Sequence, residues 1–368
     1  MAGIRVNGVE IRLVPVPVLE SLDEPGGWMY QGMHQVARDC SMYLLGEADA
    51  AVTAEEAWWE ATYEDDFQIR NVIAVAGGNS AENVVGWGMT WVPTQSNPDL
   101  STNGVRVRPD WRRRGIGTQL ADWVEAAAKA QGRTSWITYA MFAEVSPGTP
   151  TVSAAEGDEM PADSPGLVFA QARGYTLRQI MRRSRLNLPV SSDLLDRLEV
   201  EARSHTAGYR YHQWPGVPPD EWLDKLAKLG TDMSTDQPLG ELSLAEEVWT
   251  GDRIRSYIVK ADAKGMDSLT TAAEFVETGE LVAMTQILVS RTRICAEQDD
   301  TIVRRDHRGH RLGLAIKIQN LRLLAQHHPR ISRIYTFNAS ENQHMLAINT
   351  ALGFYPYSGS GVLQQGDR

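Results

Sequence analysis

The sequence lacks several features that would point to whole classes of protein. Its 368 residues include only two cysteines, Cys40 and Cys295, which give no disulfide framework and fit a reducing cytoplasm. No apolar run approaches the ~20 residues that a membrane-spanning helix needs. Lys and Arg (36) are outnumbered by Asp and Glu (47), and the formal net charge of -11 argues against nucleic-acid and anionic-membrane partners. These absences predict a soluble, cytoplasmic protein.

Two further absences narrow the prediction. The N-terminus, "MAGIRVNGVEIRLVPVPVL", lacks the basic-then-apolar layout of a signal peptide. No Cys/His spacing typical of zinc is present, so no metal site is predicted. The acidic balance is compatible with a cationic substrate such as an amine, although many soluble enzymes are acidic for solubility alone.

What the sequence does contain is an internal duplication. Each half has paired strands, an arginine- and glycine-containing segment, an apolar-periodic helix, a strand, a further helix and a Gly–aromatic pair. Gly117 and Gly174 in the first half match Gly313 and Gly353 in the second. The first half is longer between them because of a Pro/Gly/Ser-rich segment at about 143–163, the kind of loop insertion that costs a fold little. Length and pattern together predict two domains, 1–190 and 191–368.

Local signals predict several element boundaries. Thr53 with Glu56 forms a capping box at a helix start, and Gly132 ends the helix that follows the first arginine segment. Thr278 and Gly279 form the turn of a hairpin in the second half. The segment 144–166 is predicted to be a loop.

The segment "RRRGIG", residues 112–117, predicts an anion site. It joins a strand to a helix, so several backbone N–H groups and the positive end of the helix dipole point at one place. Gly115 and Gly117 allow a bulky anion to approach the backbone, and the flanking guanidinium groups can bind phosphate oxygens. Neither the dinucleotide fingerprint nor the P-loop pattern occurs.

This segment resembles the coenzyme A loop, [QR]-x-x-G-x-[GA], of the GNAT superfamily of N-acetyltransferases. The second half, "HRGHRLGLAIK…TFNASENQHMLAINTALGF", resembles the C-terminal half of tandem actinobacterial members, the layout of mycothiol synthase. The resemblance covers essentially the whole chain. It implies an α/β (α+β) fold of two tandem domains, each a mixed, mostly antiparallel twisted sheet flanked by helices.

In the first half, the resemblance implies a complete coenzyme A site. The strand before the loop would pair with the pantetheine arm through Val105 and Val107. The loop and helix start would hold the pyrophosphate; these residues are Arg112, Arg113, Arg114, Gly115, Ile116, Gly117 and Thr118.

In the second half, the resemblance implies a matching site with one departure. The strand residues are Ile302 and Val303, and the phosphate residues run from Arg308 through Leu314: Arg308, Gly309, His310, Arg311, Leu312 and Gly313. Arg311 replaces the first glycine of the pattern and puts a side chain at the point of close approach. Asn338 and Asn342 match positions near the coenzyme where two strands splay apart. The glycines favour the first half as the coenzyme site, whereas mycothiol synthase-like tandems carry their chemistry in the second.

The resemblance also implies positions for acid catalysis. Many family members use a tyrosine on the last helix to protonate the departing thiolate. The matching positions hold Ala170 and Asn349, and neither side chain can act as that acid. Tyr139, Tyr355 and Tyr357 lie near the same region and are predicted to be packing residues.

A carboxylate on the strand before the loop often acts as the base in this family. The second half offers Glu297, Asp299 and Asp300 there, and strict strand alternation would put Asp300 on the face opposite the other two. The alternative is a solvated turn. The candidate catalytic residues are Glu297 and Asp300 as possible bases, together with Asn349, which occupies the position of the usual acid.

The predicted activity is N-acetyl transfer from acetyl-CoA to an amine of a small molecule by direct attack, in antibiotic modification, specialised metabolism or thiol-cofactor synthesis. The alternative is a coenzyme A-binding pseudoenzyme, or a fold recruited to other chemistry, because both halves lack the tyrosine. The sequence leaves the acceptor and the oligomeric state open.

Overall fold

The computed structural model describes residues 4–6, 8–63, 67–154, 158–236, 242 and 246–366. Two hairpin strands open the first half, and two helices precede its central strands. Its elements are β1 (Ile4–Val6), β2 (Val9–Pro15), α1 (Trp28–Leu45), α2 (Ala54–Thr62), β3 (Phe67–Ala76), β4 (Val84–Pro93), β5 (Leu100–Val107), α3 (Ile116–Ala130), β6 (Ser135–Ala143), β7 (Thr151–Ser153), β8 (Glu159–Pro161), α4 (Pro165–Ala172) and β9 (Thr176–Asn187).

The second half repeats much of this order. Its elements are α5 (Ser192–Arg203), β10 (Tyr209–Pro215), α6 (Asp220–Asp236), α7 (Gly251–Ala263), β11 (Met266–Phe275), β12 (Glu280–Ser290), β13 (Cys295–Val303), α8 (Leu312–His327), β14 (Arg333–Ala339), α9 (Gln343–Ala351) and β15 (Tyr355–Gln365). Short 3-10 turns precede α3 and α8 at equivalent places.

Several local predictions are confirmed. The Thr53 hydroxyl accepts from the Glu56 amide while the Glu56 carboxylate accepts from the Thr53 amide, which completes the capping box. Gly132 has a φ of 76° just after α3, and Gly279 has a φ of 70° in the β11–β12 turn. The loop prediction for 144–166 is partly wrong, because β7 and β8 pair as a small hairpin there; residues 155–157 lie outside the described ones.

Thirteen strands form one sheet in the order β1-β2-β3-β4-β5-β6-β15-β9-β14-β13-β12-β11-β10. Only the β5–β6 and β13–β14 pairs are parallel among the pairings described, so the sheet is mostly antiparallel. The fold is thus a mixed α/β arrangement with a large, mostly antiparallel sheet, as predicted. One face is covered by α3, α4 and α8 (the α3 face), and the other by α1, α2, α6 and α7 (the α1 face).

The two halves exchange their last strands. β15, at the end of the chain, lies between β6 and β9, and β9 from the first half pairs with β14 of the second. Each half therefore completes its sheet with a strand that the other half contributes, and the centre of the sheet is built by both.

Candidate functional site

The backbone of the first arginine segment forms an anion cradle. Arg113 (φ 61°) and Gly115 (φ 80°) adopt left-handed conformations that turn the chain into α3. Within the described structure, the amides of residues 113–118 donate no hydrogen bond to another backbone group. Unpaired amides at a helix start are a ready site for phosphate.

One arginine of this loop bonds to its backbone, and the other two lack an acidic partner among the described residues. Arg112 Nε donates to Val107 O at 3.0 Å, and its guanidinium lies over the Tyr43 ring at 4.7 Å. Arg113 and Arg114 are exposed and have no acidic partner among the described residues. Their charge is available to a diphosphate.

Gly117 lies where α3 approaches α4. A Cβ added there would be 3.7 Å from the Phe169 ring and from Val107 Cγ2, which is ordinary contact distance. Alanine therefore fits, whereas a large side chain would fill the space beside the cradle. The loop and helix start are compatible with the diphosphate of coenzyme A.

The strands beside the loop leave backbone groups open. β5 pairs with β6 only from Leu100 to Thr102, and the two strands separate beyond that point. Val105 and Val107 pair with β4 on their other side. The edge of β5 at Val105 and Val107 therefore borders the gap, where Val107 O already accepts from Arg112 Nε.

The second loop has the same backbone conformation, but glycine and arginine are exchanged between its two left-handed positions. Gly309 (φ 85°) and Arg311 (φ 53°) occupy the two left-handed positions, so arginine is accommodated where glycine was expected. The amides of residues 309–314 are likewise unpaired with other backbone groups within the described chain. Ile302 and Val303 pair with β12 and lie beyond the β13–β14 contacts.

The arginine side chains of the second loop pair with acidic residues. Arg308 Nη2 lies 2.8 Å from Asp236 Oδ2, and Arg305 pairs with the same carboxylate. Arg311 Nη1 lies 2.5 Å from Glu201 Oε1 on α5. These ion pairs reduce the positive charge that would attract a diphosphate.

A buried polar network also fills the space behind the second loop. Lys317 Nζ donates to Asn349 Oδ1 at 3.0 Å, and Asn349 Nδ2 donates to Asn338 Oδ1 at 2.8 Å. Burial lowers the pKa of Lys317 to about 7. Asn342 does not join the network; its Oδ1 caps α9 by accepting from Met345 N at 3.2 Å.

The first half has small residues at the equivalent places. When the matching glycines of the two halves are aligned, Lys317 corresponds to Ala121 and Asn349 to Ala170. When the parallel strand pairs β5–β6 and β13–β14 are aligned, Asn338 corresponds to Ala140. Three alanines thus replace a lysine and two asparagines.

The predicted carboxylates lie together in a cleft between the halves. The register of β13 against β12 shifts between Thr285 and Ile287, so an extra residue is accommodated near Asp299 and Asp300. This bulge interrupts the strict alternation expected of Asp299 and Asp300, and the charge of Asp300 acts on Asp299.

Two of these carboxylates, Asp299 and Asp300, have raised pKa values. Desolvation, then the charge of Asp300, raises the pKa of Asp299 to about 8, and Tyr257 donates to Asp299 Oδ2 at 3.1 Å. Desolvation, then Glu247, raises the pKa of Asp300 to about 6. The Asp299 side chain nevertheless remains exposed to solvent on β13. Glu297, also accessible, is 3.4 Å from Arg293 Nη1.

Sequence reasoning missed Glu60 and Arg106, which line the same cleft from the first half. Desolvation raises the pKa of Glu60 to about 7. The positive charge of Lys264 opposes this shift, and the negative charges of Glu56 and Glu297 add to it. Arg106, on the splayed part of β5, lies 4.9 Å from the Trp87 ring centroid and interacts with Glu60. Glu60 belongs to a helix that looks solvated in sequence, and no local signal could have revealed what faces it.

Tyr139 is not the packing residue that was predicted. Its side chain is 51% exposed on β6 beyond the last β5–β6 pair. Within the described residues, no group of His, Cys, Asp and Glu could hold a metal ion, and no helix is long and apolar enough to cross a membrane.

Comparisons with known proteins agree with this architecture. Residues 31–144 match the acetyltransferase (GNAT) family model. A tandem GNAT protein from the clavulanic acid biosynthesis pathway superimposes with a TM-score of 0.74 at 23% identity, over 97% of this chain and 98% of that one.

Two further solved structures share the fold. A GCN5-related N-acetyltransferase from Sphaerobacter thermophilus gives a TM-score of 0.62 at 14% identity, over 96% of this chain and 95% of that one. A glucosamine N-acetyltransferase region of a fungal multi-domain β-N-acetylglucosaminidase gives 0.60 at 12% identity, over 97% of this chain and 38% of that one. No curated protein sequence gives a significant match.

Proposed function

From the premise that the chain carries a GNAT acetyltransferase domain within a tandem GNAT fold, we propose that it is an acyl-coenzyme A-dependent N-acyltransferase. The donor is acetyl-CoA, and the acceptor is an amine of a small molecule in specialised metabolism. The observation that carries the proposal is the first loop, where unpaired amides at 113–118 meet two arginines without acidic partners.

The coenzyme is assigned to the first half. The amides of residues 113–118 with Arg113 and Arg114 would hold the diphosphate, and the edge of β5 at Val105 and Val107 would align the pantetheine arm. The second loop has the same backbone, but its arginines are paired and Lys317 fills the space behind it. The residues from Ile302 to Gly313 therefore serve as scaffold in this proposal, as do Asn338, Asn342 and Asn349.

The acceptor is assigned to the cleft on the α1 face. Bound acyl-coenzyme A would supply the acyl group as a thioester, which a neutral amine can attack directly. The carboxylates of Glu297, Asp299 and Asp300 attract a cationic amine, and Glu60 faces them from the first half. A carboxylate with a pKa near neutrality is suited to take a proton from the ammonium group.

The domain boundary near residue 190 also stays a proposal. β9 ends at Asn187, and the chain then continues into α5 of the second half. Because β9 and β15 are exchanged, the two parts 1–190 and 191–368 would be units of sequence and not independently complete sheets.

The activity is tested by free-thiol release from acetyl-CoA across a panel of primary amines. Wild-type protein should release thiol only when an accepted amine is present. Gly117→Trp should lose coenzyme binding and thiol release, while Gly117→Ala, whose Cβ meets only ordinary contacts, should keep both within about threefold.

Two outcomes would contradict the proposal. Tight coenzyme binding without thiol release across the panel would favour the pseudoenzyme, which the absence of a tyrosine at Ala170 and Asn349 keeps as the second candidate. Undiminished coenzyme affinity in folded Gly117→Trp would show that the first half is not the working site.

A further inference from the structure

Three buried polar groups at the centre of the sheet have no hydrogen-bond partner among the described residues. They are Arg183 Nε, Ser358 Oγ and Ser360 Oγ, and the three residues are 6%, 6% and 4% exposed. A buried polar group without a partner costs free energy, so three in one place need an explanation.

Strand register brings these groups together. Ser358 lies directly opposite Arg183 on β9, and Ser360 lies opposite the neighbouring Met181. Directly opposite residues share a face of the sheet, as do residues two apart on one strand. The three side chains therefore point to the α1 face, at the seam formed by the exchanged strands.

Aromatic rings surround the guanidinium of Arg183. Its Cζ lies 4.0 Å from the Tyr335 ring centroid, 5.2 Å from that of Phe337 and 5.8 Å from that of Tyr357. Among the described residues, no carboxylate pairs with it. The rings hold the cation in place by cation–π attraction and leave its N–H groups for another acceptor.

The group that fits this set is an anion. A guanidinium and two hydroxyls can all donate, and a planar guanidinium matches a carboxylate in geometry and charge. Phe337 is 42% exposed, so the ring beside Arg183 is in contact with solvent.

We infer that Arg183, Ser358 and Ser360 bind a carboxylate of the acceptor, an inference that rests on the proposed function. β9 and β15 lie beside β6, and strands in a sheet are about 4.8 Å apart, so Arg183 lies on the order of 10 Å across the sheet from the open end of β6. An acceptor that bridges this distance presents its amine to the open end of β6, beside the proposed pantetheine arm, and its carboxylate to the seam. The acceptor class is thus an amino carboxylate, and the strand exchange builds its subsite.

The test compares amino carboxylates with their carboxamides. The panel contains the common amino acids, ω-amino acids such as 4-aminobutyrate and short peptides, each beside its amide, with acetyl-CoA and full-length protein. The free acids should be acetylated and the amides should react at least tenfold more slowly. Thermal shifts with the same pairs report binding independently of turnover.

Variants at the seam test whether its side chains cause the preference for free carboxylates. Ser358→Ala/Ser360→Ala removes two unpaired hydroxyls and should leave the melting temperature unchanged or higher, while KM for the carboxylate rises at least tenfold with kcat largely retained. Arg183→Lys keeps the charge but loses the planar fork, and should also raise KM. Ser184→Ala is the matched control, because this adjacent buried serine points to the opposite face of β9.

The outcomes separate this inference from the proposed function. If amines without a carboxylate react as well as those with one, or if KM is unchanged in the serine double variant, the carboxylate subsite is wrong while the acyltransferase activity stands. If no amine releases thiol, the proposed function fails, and a missing thermal shift with every carboxylate overturns the subsite as well.

Discussion

At the residue scale, the two arginine loops show how far a motif can be interpreted from sequence. The pattern predicted two phosphate loops and cast doubt on the second because Arg311 replaces a glycine. The backbone tolerates that arginine in a left-handed conformation, so the Cβ is not the decisive difference. The decisive differences are the pairing of Arg311 with Glu201 and of Arg308 with Asp236, whose partners lie far away in sequence.

Lys317 should make stability depend on pH. Its pKa is lowered to about 7 by burial, so between pH 7 and about 10 the unfolded chain binds a proton that the folded chain does not. Stability of the wild type relative to Lys317→Met should therefore rise with pH over this window, by roughly 2–4 kcal/mol, and be flat below it.

Urea unfolding of the two proteins between pH 6 and 10 measures this. Lys228→Met, which removes an ammonium group that is 65% exposed, is the control and should show little pH dependence against the wild type. If the difference in unfolding free energy between wild type and Lys317→Met were constant with pH, Lys317 would be charged in the folded protein. That result would contradict the burial of a neutral Lys317 behind the second loop.

At the element scale, strongly patterned segments were predictable and weakly patterned ones were not. The strands at 84–93 and 333–339 and the helix at 116–130 follow from their apolar spacing and flanking signals. The sequence interpretation did not identify α5, β10, α7 or β15. β15 is "YPYSGSGVLQQ", which contains serines, glycines and a proline and has no strand alternation. Its strand conformation comes from pairing with β6 and β9 on both sides.

The placement of β15 predicts a specific clash. A Cβ at Gly359 would lie 2.2 Å from the Phe142 ring on β6, which is closer than real Cβ contacts allow. Gly359→Ala should therefore destabilise the protein by about 1–3 kcal/mol, and Phe142→Leu should recover part of that loss because it removes the ring.

Chemical denaturation of the two single variants and the double variant measures the coupling. A favourable interaction energy of about 1 kcal/mol or more in the cycle would support contact between Gly359 and Phe142. Additive effects would contradict the exchange of strands between the halves.

At the scale of the whole molecule, the duplication was predictable from sequence, but the contacts between the two halves were not. The repeat of strand, loop and helix is visible in sequence. The interface between the halves is polar: Glu56 on α2 accepts from Arg293 Nε at 2.8 Å, and Asp49 pairs with Arg333 at 2.5 Å. These contacts place Glu60 opposite Glu297, and they join residues more than two hundred positions apart. The acidic cleft thus belongs to neither half alone.

The central claim is that one coenzyme binds per chain, at the first loop. Calorimetric titration of full-length protein with coenzyme A tests it most directly, using Arg113→Ala/Arg114→Ala and the matched pair Arg308→Ala/Arg311→Ala. The account predicts a stoichiometry of one, a loss of affinity of at least tenfold in the first pair and little change in the second. Two sites per chain, or a loss confined to the second pair, would contradict it.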